Sequence, residues 1–113
     1  IRCRKFERNS MNRCHLLGKL IDDPELEKSH GSDVLNFRLE VEEYRKDKDG
    51  GKKRRTDVLN LEVWDSAART IHKYAQSNDL IAVEAIARNL TGGGPHEVVF
   101  RVTNFKIIPR DDF

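Results

Sequence analysis

The segment Thr56–Trp64, TDVLNLEVW, alternates apolar and polar residues with the period of a β-strand. Leu59, Leu61 and Val63 fall on one face of such a strand, and Trp64 falls on the other face with polar side chains. An aromatic ring on the wetter face is informative, because the largest hydrophobe of a small domain usually points inward. The pattern therefore predicts a central strand whose outer face offers an aromatic surface to a partner.

The preceding segment Val34–Tyr44, VLNFRLEVEEY, repeats this arrangement, and its terminal aromatic, Tyr44, again lies on the polar face. The residues of its apolar face are Leu35, Phe37, Leu39 and Val41. The connection between the two strands, RKDKDGGKKRR, is strongly basic, and the Gly50-Gly51 pair in its middle indicates a turn. The two strands therefore form a long hairpin with a basic tip. Outward aromatics beside a cationic arm suit single-stranded nucleic acid.

Length and composition favour one small domain. A chain of 113 residues can bury one modest core. Its 21 basic and 19 acidic residues leave a net charge of +2, but the basic excess is concentrated in residues 2–13 and in the hairpin tip. No apolar run approaches the roughly 20 residues of a membrane-spanning helix, and no segment resembles a secretory signal. We expect a soluble intracellular protein.

The sequence offers no pattern for a metal site or for catalysis. Cys3 and Cys14 are too few for a disulfide framework, and we expect both to be reduced. The four histidines form no C-x-x-C or H-x-x-x-H spacing. No paired acid and base, and no nucleophile with a nearby histidine, is recognisable. We predict no metal, no cofactor and no enzymatic activity.

Three further segments have the character of strands. Met11–Leu20 alternates as a first strand, and Gly18 within it indicates a bend that lets one strand serve two parts of a sheet. Leu80–Leu90 is apolar on both faces, which suits a strand inside the sheet or covered by another subunit. Glu97–Ile108 forms the last strand after a TGGGP turn. In that strand we expect Val98, Phe100 and Val102 to point inward, opposite Val99, Arg101, Thr103 and Phe105.

One short amphipathic helix is predicted after the central strand. Asp65 and Ser66 offer an N-cap, and apolar residues recur at helical spacing up to Asn78, with Ile71 and Tyr74 expected to face inward. The chain is therefore all-β with one helix between the third and fourth strands. Five strands in this order, with a bent first strand, indicate an OB-fold barrel.

The domain organisation follows from this reading. Residues 11–108 form the barrel domain, residues 1–10 (IRCRKFERNS) a basic leader, and residues 109–113 a short acidic end. The leader is native, a targeting remnant or an expression remnant, and Arg2, Arg4, Lys5 and Arg8 could contact phosphate only if they are ordered.

The chain resembles the bacterial and mitochondrial single-stranded DNA-binding protein family from Met11 to Ile108. The resemblance is carried jointly by MNRCHLLGKLIDDPE, VLNFRLEVEEYRKDKDG, TDVLNLEVWDSAARTIHKYA and AVEAIAR, in that order. It implies that Tyr44 and Trp64 stack with bases. It implies phosphate contacts, by position and charge, for Arg13, Lys19, Arg45, Lys46, Arg54, Arg55 and Arg88, and the basic tip adds Lys52 and Lys53. For any one of these cations, a purely solvated role is the alternative.

The sequence departs from the family pattern in ways that shrink the expected platform. Val58 stands where the family usually has an outward aromatic, and the hairpin between the fourth and fifth strands is cut to TGGGP. Glu40, Glu42 and Glu62 add negative charge to the presumed binding face, unless they pair with Arg38 and the arm. We expect lower affinity or a shorter occluded site than in a typical member.

The leading hypothesis is sequence-independent binding of single-stranded DNA in replication, recombination and repair. The resemblance implies a homotetramer or homodimer in the cytoplasm with the nucleoid, or in the mitochondrial matrix. Replication or repair proteins are possible partners, although Asp111-Asp112-Phe113 is at best a shortened recruitment tip. The alternatives are a primosome-type or plasmid accessory barrel that docks a helicase or primase, and an oligomeric barrel whose aromatics serve protein assembly.

Overall fold

The computed structural model describes residues 10–108, which form six strands and one helix. The elements are β1 (Cys14–Leu20), β2 (Glu25–Ser29), β3 (Ser32–Lys46), β4 (Lys52–Trp64), α1 (Asp65–Tyr74), β5 (Leu80–Asn89) and β6 (Val98–Ile108). The acidic end and, apart from Ser10, the predicted leader lie outside the described residues. The helix in residues 10–108 is too short and too polar to cross a lipid bilayer.

Five of the strands close into a barrel in the order β1, β5, β6, β4, β3 and back to β1. All neighbouring strands are antiparallel except β4 and β6, which run parallel at Leu61 and Phe100. This is the predicted five-stranded OB-fold barrel with its helix between the third and fourth barrel strands. The short β2 was not predicted. It pairs with Ser32–Asn36 on the edge of β3 that β1 contacts further along, at Leu39 and Glu40.

The β3–β4 hairpin has a regular register from Val34 opposite Trp64 to Lys46 opposite Lys52. Because no bulge interrupts it, side chains alternate as predicted along its whole length. The largest side chains of the core that are less than 2% exposed are Leu20, Leu35, Leu39, Leu61, Val63 and Ile81 from the strands and Ile71 from α1. The predicted inner faces of both strands are therefore confirmed.

The helix differs from its prediction at both ends. No side chain of the described part of the chain caps its N-terminus. The helix ends at Tyr74, and Asn78 adopts a left-handed φ of 76° where the chain turns into β5. The prediction that Tyr74 is a core residue was wrong, because its ring is 62% exposed. Ala68, Ile71 and Ala75 define the buried stripe, and at about 100° per residue Tyr74 lies outside it.

In β6 the alternation of inward and outward side chains shifts by one residue at a single point. A bulge opposite Glu84 and Ala85 lets Phe105 pack against the core, although strict alternation from Phe100 predicted it to point outward. At the start of the strand the prediction that Val98 points inward was also wrong, because Val98 is 44% exposed. Val99, predicted to point outward, is only 4% exposed. Val99 lies on the outer face of the barrel wall, where neighbouring segments cover it.

Barrel closure depends on Gly18. Strand β1 pairs with β5 through residues 14–19 and with β3 at Lys19 and Leu20, so it serves two neighbours as predicted. A Cβ atom on Gly18 would lie 2.5 Å from the carbonyl oxygen of Glu40 and 2.8 Å from Cγ of Leu39. Only glycine allows the two backbones to approach this closely.

We expect Gly18→Ala to lower the free energy of unfolding by about 1 to 3 kcal/mol, because the added methyl group must push β1 away from the β3 backbone. Urea unfolding measures the change. Gly51→Ala is the control, since a Cβ at Gly51 meets no atom within 4 Å. Equal stability of the two variants would contradict this account of closure.

A buried carboxylate joins the helix to the β2–β3 hairpin. Asp33 is 7% exposed, and its two oxygens contact Lys28 Nζ at 2.7 Å and Arg69 Nη1 at 2.6 Å. Hydrogen bonds from Lys28 and Arg69 hold the pKa of the Asp33 carboxyl below its ordinary value of 3.8, although burial opposes this shift. The charged form therefore stabilises the folded state.

A lowered pKa predicts a definite pH dependence of stability. Above roughly pH 5 Asp33 is charged in both states, so its full contribution is present, and that contribution is lost as the pH falls through the folded pKa. We expect Asp33→Asn to be less stable than the native protein at pH 7, with the difference shrinking on acidification below pH 3.8. Urea unfolding across this range measures it, with Asp49→Asn in the exposed turn as the control. A difference that is constant with pH would contradict the role of the charge.

Candidate nucleic-acid interface

One continuous stripe of side chains runs along the outer face of the β3–β4 hairpin. Its cross-strand pairs, in order, are Val34–Trp64, Asn36–Glu62, Arg38–Asn60, Glu40–Val58, Glu42–Thr56, Tyr44–Arg54 and Lys46–Lys52. We call this set the outer stripe. Tyr44 and Trp64 lie on the same face, as predicted, but Tyr44 pairs with Arg54, ten positions before Trp64, which corresponds to about 33 Å measured along the strand. The two aromatics therefore mark opposite ends of the stripe.

Tyr44 lies where the hairpin leaves the barrel. Strand β1 contacts β3 only as far as Glu40, so residues 43–55 project as a two-stranded arm. The turn is closed by hydrogen bonds from Asp47 N to Gly51 O at 2.6 Å and from Gly50 N to Asp47 O at 3.1 Å. The Tyr44 side chain is 63% exposed at the root of this arm. Its ring is available for contact with a ligand.

The arm is cationic on both faces. Residues 43–55 contain seven basic and three acidic side chains. Lys46, Lys52 and Arg54 share the face of Tyr44, whereas Arg45, Lys53 and Arg55 point to the other side. All six are exposed. Within residues 10–108, ion pairs within 4.0 Å involve Lys53, Arg54 and Arg55 of this group. The structure thus assembles the predicted arm cations along one projecting ribbon.

The glutamates of the outer stripe have cationic neighbours. Arg54 Nη2 lies 2.9 Å from Glu42, and Lys19 Nζ lies 4.0 Å from Glu40. Arg101 Nε lies 3.3 Å from Glu62. Arg38 pairs with Asp22 rather than with a glutamate of the stripe. Each carboxylate is therefore partly neutralised, and the positive excess remains on the arm.

A groove of about 590 Å³ crosses the middle of the stripe. Its floor contains Asn36, Arg38 and Asn60. One wall is the segment Asp22–Glu27, and the other is formed by the β5–β6 hairpin at Leu90, Val98 and Val99. In OB-folds, ligands occupy this position between the second and third barrel strands and the two flanking loops. Four acidic residues on the first wall, Asp22, Asp23, Glu25 and Glu27, disfavour phosphate there.

Trp64 is neither fully exposed nor part of the core. The residue is half-buried, and its indole Nε1 is buried with no hydrogen-bond acceptor among residues 10–108. The guanidinium carbon of Arg101 lies over the indole, 5.4 Å from the ring centroid. The predicted outward placement is therefore observed, but the ring is partly covered by a cation.

The three remaining predicted cations lie around the barrel rather than on the arm. Lys19 adjoins the stripe through Glu40. Arg88 is the cross-strand neighbour of Val99, which lines the groove, so the two side chains share a face of the β5–β6 hairpin. Arg13 precedes β1 on the far side of β5. Its neighbour Asn12 donates a hydrogen bond from Nδ2 to Ala87 O at 2.7 Å and accepts one at Oδ1 from Ala87 N at 2.8 Å. The structure does not bring Arg13 to the groove.

Sequence reasoning missed the polar floor and Arg101. Asn36, Arg38 and Asn60 alternate onto the same face as the aromatics, which is a readable signal, but short polar side chains on a strand are usually solvated. Alternation also put Arg101 on the outer face. Its position beside Trp64 depends on the parallel pairing of β6 with β4, which no local pattern reveals.

Solved structures with this fold include single-stranded DNA-binding proteins. A deletion mutant of the Thermus aquaticus protein has 18% identity and a TM-score of 0.75, covering 88% of this chain but 51% of its own, so the present chain spans about half its length. The Plasmodium falciparum protein in complex with single-stranded DNA has 20% identity and a TM-score of 0.70, covering 92% and 98%. The protein PriB from Ralstonia solanacearum has 10% identity and a TM-score of 0.64, covering 86% and 98%.

A search of curated proteins finds no match. At these identities, the similarity to the solved structures establishes the barrel itself. The family assignment has a separate basis in the sequence. The model of the single-strand binding protein family matches residues 11–90, most of the chain, and the protein therefore belongs to that family.

Proposed function

We propose that this protein binds single-stranded DNA without sequence preference. The observation that carries the proposal is the exposed Tyr44 ring at the root of a projecting arm that has seven basic side chains. An unpaired base exposes a flat surface that stacks on an aromatic ring, and its phosphate can reach cations on the same ribbon. Family membership and the fold support the same function.

The charge distribution gives the bound strand a preferred path. The cations on both faces of the arm attract the phosphate backbone, while the acidic wall of the groove repels it. Bases rather than phosphates would therefore face the groove floor at Asn36 and Asn60. With Val58 in place of a third ring, the stacking surface is small, so we expect modest affinity that depends strongly on the arm.

The cellular role that follows is protection and organisation of single-stranded DNA during replication, recombination and repair. Such DNA arises at the nucleoid or in the mitochondrial matrix, and either would be the working compartment. Recruitment of replication or repair proteins would be a further role of the same barrel.

The first test of the function is titration of a labelled dT oligonucleotide at rising salt. Affinity should fall steeply, because cations on the arm displace counterions from the phosphates. We expect Tyr44→Ala to weaken binding by about 1 to 3 kcal/mol, the usual contribution of base–aromatic stacking in single-strand binders of this fold. Tyr74→Ala is the matched control, since the Tyr74 ring is 62% exposed on α1 whereas that of Tyr44 is 63% exposed.

Two results would count against the proposal. Duplex DNA bound as tightly as the single strand would mean that unpaired bases are not recognised. Equal loss of affinity in Tyr44→Ala and Tyr74→Ala would show that Tyr44 makes no specific contact with the bound strand. Binding of a helicase or primase in the absence of DNA, with no measurable affinity for dT, would favour the accessory-protein alternative instead.

We also propose that two copies associate through β1. Strand β1 pairs with β5 on one edge, whereas β3 covers the other edge only at Lys19 and Leu20. The backbone of residues 14–17 is therefore open on that edge in the described chain. The outer face beside it carries Leu17, which is 57% exposed, and a shallow recess lined in part by Leu17 and Ala82. An open edge next to an apolar surface favours a symmetric contact between copies.

Leu17→Asp should shift the mass in solution towards the monomer, because it places a charge inside the contact. Light scattering after gel filtration measures the mass. Val58→Asp, which alters an apolar residue 49% exposed on the outer stripe, should leave it unchanged. An unaltered mass for Leu17→Asp would exclude this contact.

A further inference from the structure

Arg101 is placed on the outer surface by a pairing far from the arm. It is in register with Glu62 across the parallel β4–β6 contact, beside Trp64. Its Nε lies 3.3 Å from Glu62 Oε1 without the geometry of a hydrogen bond, so the attraction is ionic. Its guanidinium carbon lies 5.4 Å from the centroid of the Trp64 ring. Two neighbours thus restrain one planar cation.

This arrangement limits what Trp64 can offer to a ligand. Arg101 covers the indole from the side of β6, and the cross-strand neighbour on the side of β3, Val34, is 5% exposed. The indole Nε1 is buried as well. A base could stack on the face of the ring that Arg101 covers only after Arg101 had left both the indole and Glu62.

The Arg101 side chain itself is accessible. It is 37% exposed, whereas the side chain of Glu62 is 17% exposed. Because Arg101 Nε is buried, the exposed part lies elsewhere on the side chain. It borders a recess of about 420 Å³ that Trp64, Ala67 and Thr103 also line. An open space next to a restrained guanidinium can receive a flat ligand without rearrangement of the protein.

We propose that Arg101 is a base-stacking residue of the single-strand site, with Trp64 as its support. An unpaired base lies on the outer face of the guanidinium, so that base, guanidinium and indole form one stack. Guanidinium planes serve as stacking surfaces for unpaired bases. The stack keeps the contacts of Arg101 with Trp64 and Glu62, whereas stacking on the face of the indole that Arg101 covers would break both. This inference rests on the proposed single-strand binding and specifies one of its contacts.

The test separates the shape of the arginine from its charge. Arg101→Lys keeps the charge but removes the plane, so it should weaken binding of a dT oligonucleotide about five- to tenfold. On an abasic oligonucleotide of the same length there is no base to stack, and the variant should match the native protein. The dependence of affinity on salt should be unchanged on dT, because the number of cations is the same. Lys106→Gln, which removes an exposed cation from the same strand, should not alter the ratio of dT to abasic affinity.

The sole tryptophan supplies an independent readout in the free protein. Arg101→Ala should increase quenching of Trp64 fluorescence by acrylamide, since it uncovers the ring, and thermal unfolding confirms that each variant is folded. Equal affinity of Arg101→Lys and the native protein for dT would overturn the proposal. So would loss of affinity and of salt dependence in Arg101→Ala with full rescue by Arg101→Lys, which identifies a phosphate contact. If the native protein does not bind dT at all, the proposed function itself fails.

Discussion

Closure of the barrel on β3 determines where the rest of the molecule can act. Strand β3 pairs with β2, β1 and β4, and its pairing with β1 extends only to Glu40, where Gly18 allows the two backbones to approach closely. Val41 is the last inward residue of β3 that packs against the core. The hairpin can therefore continue only as a solvated ribbon, and cations along it incur little desolvation cost. The basic arm is a direct consequence of where the barrel closes.

Charge is arranged in two zones along one surface. On the barrel, Glu40, Glu42 and Glu62 each have a cationic neighbour, so the middle of the outer stripe is locally balanced. On the arm, the excess of lysine and arginine is not balanced by the three acidic residues present. The net charge of +2 for the whole chain conceals this separation. Attraction for a polyanion is therefore concentrated on the arm.

The sequence predicted those features that depend on local alternation. The β3–β4 hairpin has no bulge, so period-two reasoning placed the inner faces and the outward Tyr44 correctly. In β6 the same reasoning failed at Phe105, because one extra residue opposite Ala85 reverses the phase. The prediction for the helix failed at Tyr74, because the buried apolar stripe of this short helix is narrow and the Tyr74 ring lies outside it. Contacts between strands that are distant in sequence, such as that of Arg101 with Trp64, leave no local sequence pattern, so they could be identified only from the folded structure.

The two ends of the outer stripe differ in how far their side chains would lose conformational freedom when single-stranded DNA binds. Tyr44 projects from a solvated ribbon, so stacking on it must restrict the ring and the neighbouring cations, which costs conformational entropy. At the other end, Glu62 and Trp64 already restrain Arg101 against the barrel wall. A contact there costs less ordering for each base bound. The barrel end therefore suits a fixed anchor, and the arm suits an adaptable contact that follows the strand wherever the anchor leaves it.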